Sequence, residues 1–161
     1  MSKPIRSTPS ADRLHAEATK LERATRAPHP DAYRKLGWPV RQQGGQLVLP
    51  LGKCATAQIV PADLAEPITQ MLIALARPVP VLLHPDAPGH WVLIAGEPYG
   101  VPLPWPDTVQ VITGMLGLPP GQTPHGPLRW HRPPTHPLAN CREIDVFAAA
   151  RTAEKAAQIA R

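Results

Sequence analysis

Three groups of side chains in this 161-residue chain have the types and spacing that can do chemistry. His125, His131, His136 and Cys141 recur at spacings of six, five and five, and offer four soft ligands. Zinc knuckles space their ligands by two to five residues, and no Cys-x-x-Cys occurs here, so loop histidines beside one buried thiol fit the same letters and no metal is expected. His84, Asp86 and His90 sit on the turn between the two most apolar segments, where a histidine held by a carboxylate can exchange protons. Pro85-Asp86-Ala87-Pro88-Gly89 is also ordinary turn chemistry, and no serine or cysteine nucleophile neighbours the group, so no catalytic residue is assigned.

Leu128-Arg129-Trp130-His131-Arg132 is a basic–aromatic run that combines phosphate-pairing guanidinium groups with a ring able to stack on a base. The four tryptophans, Trp38, Trp91, Trp105 and Trp130, accompany a single phenylalanine, so they also serve as the chain's large core residues. Gly44-Gly45 lacks the following Lys-Ser and helix start of a phosphate-binding loop, and no cofactor motif is present.

Charge adds to the basic–aromatic reading. Residues 1–42 carry nine Lys or Arg against four acids, whereas residues 43–140 carry four against five, so a net +5 resides in the N-terminal arm and the first ten residues after it. A basic arm beside a neutral body is the electrostatic footprint of phosphate binding, and equally of a solvated tail. Arg23, Arg26, Arg34, Lys35, Arg129 and Arg132 are therefore the candidate phosphate contacts, with Trp130 as the stacking ring.

The elements that must position these residues are short. Proline supplies 23 of 161 residues, which excludes coiled coils, long-helix bundles and sheets of long central strands. Ser10 caps a helix ended by Pro28, giving a basic helical arm over residues 1–32. An apolar entry turn at 36–40 leads to a hairpin turned at Gly44-Gly45, and 56–60 forms a further strand. Leu64, Ile68, Met71, Leu72 and Leu75 recur on one face of a helix over 63–77, with Pro67 inside its tolerant start. The apolar runs 79–83 and 90–96 read as central strands, 109–118 as one bent strand or two, and 127–131 as another. Asn140, with Glu143 three residues on, caps a last helix that docks through Ile144 and Phe147 and leaves the body beyond Arg151.

The expected fold is α+β, with a small mixed sheet, one core amphipathic helix and terminal helices, over residues 33–148 with a helical extension at 149–161. No apolar run reaches the roughly 18 residues of a membrane span, and no secretory leader is visible. Two cysteines 87 residues apart read as separate thiols, so the expected compartment is cytoplasmic.

Blocks of this body resemble a known group. LGWPV (36–40), QLVLPLGKCATAQIVPADLAEPITQML (46–72), PVPVLLHPDAPGHWVLIAGEP (78–98) and TGMLGLPPGQTPHGPLRW (113–130) resemble small actinobacterial proteins similar to the N-terminal bifunctional DNA primase/polymerase domain. The likeness covers about residues 33–135. An active enzyme of that kind needs paired strand aspartates for two metal ions, but this chain has Thr56, Ala57 and Gln58 where an acid is expected. Asp86 and His90 stand as remnants, and Glu143-x-Asp145 falls in a helix. The resemblance thus implies a non-catalytic nucleic-acid-associated module. The alternative is a protein-interaction or assembly module, in which Leu14, Leu21, Ile144 and Phe147 pair the terminal helices with a partner or a second copy.

Overall fold

A computed structural model describes residues 30–161, so Arg23, Arg26, Leu14, Leu21 and the helix expected over 10–27 lie outside the described residues. Helices α1 (Pro30–Lys35), α2 (Ala62–Ala74) and α3 (Glu143–Ile159) accompany ten short strands, an α+β fold. The first strands are β1 (Arg41–Gln43), β2 (Gln46–Pro50), β3 (Ala55–Pro61), β4 (Val81–Leu83) and β5 (His90–Gly96). They are followed by β6 (Gln110–Ile112), β7 (Met115–Gly117), β8 (Gln122–Thr123), β9 (Gly126–Pro127) and β10 (Arg129–Arg132).

β10, β4, β5, β3 and β6 form, in that order, a five-stranded sheet whose neighbours are all antiparallel. β1, β2 and β7 form a second sheet, and β8 and β9 a small hairpin. Among the described residues the one parallel pairing is an isolated bridge between Gly96 and Arg142. β3 and β4 run parallel with β5 inserted between them, so β3–α2–β4 is a split crossover, and α2 is the covering helix that a crossover requires.

This arrangement buries both faces of the central strands, as their continuous apolar runs require. Leu93 and Ala95 of β5, with Val60 and Val81, face Ile68 and Leu72 of α2 and Val146 and Ala150 of α3. Val92 and Ile94 point the other way, onto Leu49 of β2, Leu116 of β7, Tyr33 and Trp38. The 109–118 segment resolves as two strands that belong to different sheets, with Gly114 at φ +87° making the break.

Several local details differ from the sequence reading. The 36–40 segment is the expected entry turn, running on without forming a strand, since α1 ends at Lys35 and Trp38 drops straight into the core. α2 begins at Ala62, which puts Pro67 in its second turn, where a bond to the Asp63 carbonyl is forgone. Its end is a Schellman motif: Ala76, at φ +57°, donates to the Ile73 carbonyl and Arg77 to the Leu72 carbonyl. α3 is capped at Arg142 and not at Asn140; Asp145 supplies the reaching side chain, accepting the Arg142 backbone N–H at 2.9 Å. Past Arg151 that helix stays docked only through Ala153, which falls on the buried stripe with Val146, Ala149 and Ala150, and half-buried Glu154; residues 155–161 are exposed. No helix among the described residues is long and apolar enough to cross a membrane.

Candidate functional site

β10 is an edge strand, paired to β4 on one side only. Trp130 lies opposite Leu82 and Arg129 opposite Leu83, but Arg132 lies opposite Val81, so one residue is bulged out between Trp130 and Arg132. The bulge sets the chemistry of the edge. Strict alternation would send Arg132 to the same face as Trp130. With His131 as the extra residue, Arg129, His131 and Arg132 share the Val81 face, and Trp130 alone points to the opposite core. His131 rests against Trp91, with ring centroids 4.5 Å apart.

Trp130 is held from behind. Its Nε1–H donates to the Tyr33 hydroxyl at 2.7 Å, and that hydroxyl donates to the Pro119 carbonyl at 2.9 Å. Tyr33, Trp38 and Trp130 pack as a triad with centroids 5.9 to 6.2 Å apart, tilted at Tyr33 and edge-on between the two indoles. Burial pushes the Tyr33 hydroxyl up to about 12, partly offset by the bond from Trp130. Tyr33 therefore ties α1, which carries Arg34 and Lys35 in its last turn, to β10. Trp130, half-buried with its indole N–H engaged, positions this cluster rather than standing free as a stacking platform.

Charge pairing separates the arginines. Arg34 meets Asp31 at 3.3 Å, while Arg77 and Arg142 both hold Asp145, at 3.0 and 3.1 Å. Burial alone would raise the Asp145 carboxyl, but the Arg142 side-chain and backbone bonds, with the two guanidinium charges, bring it below the usual carboxylate value. No ion pair holds Arg129 or Arg132 among the described residues.

A cleft of about 290 Å³ opens beside the end of β10. Trp38, Val79, Leu138 and Cys141 form its apolar wall, and Arg132, His131 and His136 stand around it. The segment 133–138 is fixed there by the Trp38 Nε1–H, which donates to the His136 carbonyl at 3.2 Å. Cys141 is 3% exposed, and burial, reinforced by the Asp145 charge, pushes its thiol up to about 12, which leaves it a poor nucleophile. Cys54 is exposed and the two cysteines are unpaired.

The remaining candidates are dispersed. Asp86 accepts from His125 Nδ1 at 2.6 Å, a partner on the β8–β9 turn that lies 39 residues away and that the sequence grouping of His84, Asp86 and His90 does not include. His84 Nδ1 accepts the Asp86 backbone N–H at 3.1 Å, and His90 Nδ1 donates to the Pro88 carbonyl. His131, His136 and Cys141 all border the cleft, yet among the described residues no group of three or more His, Cys, Asp or Glu can hold a metal ion. Gln58 is fully buried, with Nε2 on the Thr56 hydroxyl and Oε1 unpartnered. It shares the face of β3 that carries Val60, beneath the helices. Phe147 packs edge-on against Trp105 of its own chain, with centroids 5.3 Å apart.

Sequence reasoning missed Tyr33 and the cleft. A tyrosine beside Leu36 and Trp38, in a chain with one phenylalanine, is the signal that points to Tyr33; the cleft depends on chain segments that only the fold brings together. No family model, curated protein or solved structure matches the chain.

Proposed function

We propose that this chain is a non-catalytic nucleic-acid-associated module of primase/polymerase-like ancestry. Its phosphate contacts lie along the β10 edge. The observation that carries the reading is the pair of arginines, Arg129 and Arg132, turned to one face by the bulge and left without carboxylate partners among the described residues. Guanidinium groups so placed hold phosphate bidentately. Arg34 and Lys35, beside Tyr33 on α1, add to these contacts.

Three carboxylates singled out by the sequence have other tasks, which supports the non-catalytic reading. Asp86 holds His125, Asp145 holds Arg77 and Arg142, and Glu143 Oε1 accepts the Tyr99 backbone N–H at 3.0 Å. Gln58, near the position where the resemblance calls for an acid, is sealed between sheet and helices.

The test is fluorescence anisotropy with labelled 12-mer single-stranded DNA, duplex DNA and RNA at about 50 mM salt, where phosphate contacts are strong. R129Q/R132Q should weaken whichever form binds by tenfold or more. Equal binding by wild type and the double variant removes β10 from the interface, and binding by neither removes the proposal.

A further inference from the structure

The cleft beside β10 has a composition that phosphate binding alone does not call for. Its floor and walls are apolar or aromatic: Trp38, Val79, Leu138, the buried Cys141 and several prolines. None of its lining residues is acidic, and its one permanent charge is the Arg132 guanidinium, which no carboxylate among the described residues neutralises. A concave apolar chamber with a few convergent polar groups is the usual form of a small-molecule site. A bare backbone-binding groove would instead be open and polar.

Two further features show that the chamber is built rather than incidental. The wall segment 133–138 is pinned by the Trp38 indole bond to the His136 carbonyl, and its far end approaches Gly96 closely. A side chain at Gly96 would collide with the Leu138 and Ala139 backbone, the latter 2.7 Å from its Cβ. At the mouth, the bulge that exposes His131 on Trp91 also brings Arg132 to the cleft side of β10. Without that extra residue the chamber would have no cation.

We propose that this cleft binds a small planar organic acid, with its ring against Trp38 and Val79 and its carboxylate on Arg132. A volume of about 290 Å³ accommodates a one-ring body. The charge excludes cations. This inference goes beyond the nucleic-acid reading and does not depend on it, because the ligand carries no phosphate and no stack of bases.

The full chain is titrated with benzoate, with benzamide as its neutral counterpart and acetate as the ringless acid, and the four indole N–H resonances are followed by NMR. The Trp38 resonance is assigned by its loss in W38F, or by backbone-linked assignment if that variant does not fold. Benzoate should shift it saturably, benzamide at least tenfold more weakly, and acetate not at all. R132Q should weaken benzoate tenfold or more while leaving the other three indole signals in place, and R132K should recover most of the affinity. The proposal is overturned by the absence of a saturable Trp38 shift, by equal response to benzoate and benzamide, or by undiminished binding in R132Q. Failure of nucleic-acid binding with benzoate binding intact would sink the phosphate reading alone, and the reverse pattern would sink this one alone.

Discussion

Replacing Tyr33 by phenylalanine deletes one oxygen atom from the joint between α1 and β10. The hydroxyl is fully buried and works twice, as donor to the Pro119 carbonyl at 2.9 Å and as acceptor of the Trp130 indole N–H at 2.7 Å. Its loss strands both partners. A buried polar group left without a partner costs about 1–3 kcal/mol. Pro119 is buried and takes that cost in full, whereas Trp130 is half-buried and recovers part of it from water. Y33F should therefore cost about 2–3 kcal/mol at neutral pH, read from urea unfolding monitored by circular dichroism.

The same hydroxyl gives the penalty a pH signature. An unfolded tyrosine ionises near pH 10. The folded one holds its proton to about 12, because burial disfavours the phenolate. Between those values the unfolded chain binds fewer protons, so wild-type stability falls by about 1.4 kcal/mol per pH unit, a loss Y33F does not share. The gap between wild type and Y33F should close as pH rises from 10 towards 12. The Cys141 thiol, also held up by burial, lowers both proteins alike. A penalty under about 0.5 kcal/mol at neutral pH, against the 1–3 expected of even one stranded group, refutes the two-bond joint, as does a gap that is constant with pH.

Gly96→Ala places a methyl group against the Leu138 and Ala139 backbone, and should cost about 3 kcal/mol, the upper range of overpacking, as a lowered urea midpoint. Ala76→Gly relieves the left-handed residue that ends α2 and should stabilise by about 1 kcal/mol in the same assay. Asp145→Asn loses the acceptor shared by Arg77 and Arg142 and the charge at the start of α3, and should cost about 1–2 kcal/mol at pH 7. The folded Asp145 carboxyl lies below its ordinary value, so its stabilisation is complete above that ordinary value and is lost as pH falls through the folded one. Acid titration of both proteins should show the two stability curves converging there.

Much of the scaffold was legible because its signals are local. The helical spacing from Leu64 to Leu75 and the apolar runs around Leu82 and Leu93 each carry their own period or continuity, and Gly44-Gly45 needs positive φ at both turn positions, +57° and +76°. The errors arose where tertiary partners override local preference. Asn140 is a good cap in isolation, but its neighbour Cys141 gives its carbonyl to the Gly96 N–H, and the cap falls two residues later, at Arg142. Ala153, just after Arg151, looks weakly apolar in sequence, yet with Ala149 and Ala150 it is a small side chain on the stripe that lets α3 lie close to α2.

The site was half legible. Arg129 and Arg132 were visible as basic residues around a tryptophan, but strand alternation alone would place them differently, and only the bulge at His131 puts them on one face. His125 finding Asp86 and Tyr33 finding Trp130, at separations of 39 and 97 residues, leave no trace in either neighbourhood of the sequence.

The most direct test of the central claim is the salt dependence of nucleic-acid binding by the full chain. Contacts from Arg34, Lys35, Arg129 and Arg132 to a single strand predict a log–log slope of about −2.8, or about a fiftyfold loss of affinity between 50 and 200 mM salt. R129Q/R132Q should halve the slope and reduce that loss to about sevenfold. No binding at 50 mM salt, or a wild-type affinity indifferent to salt, would contradict the account.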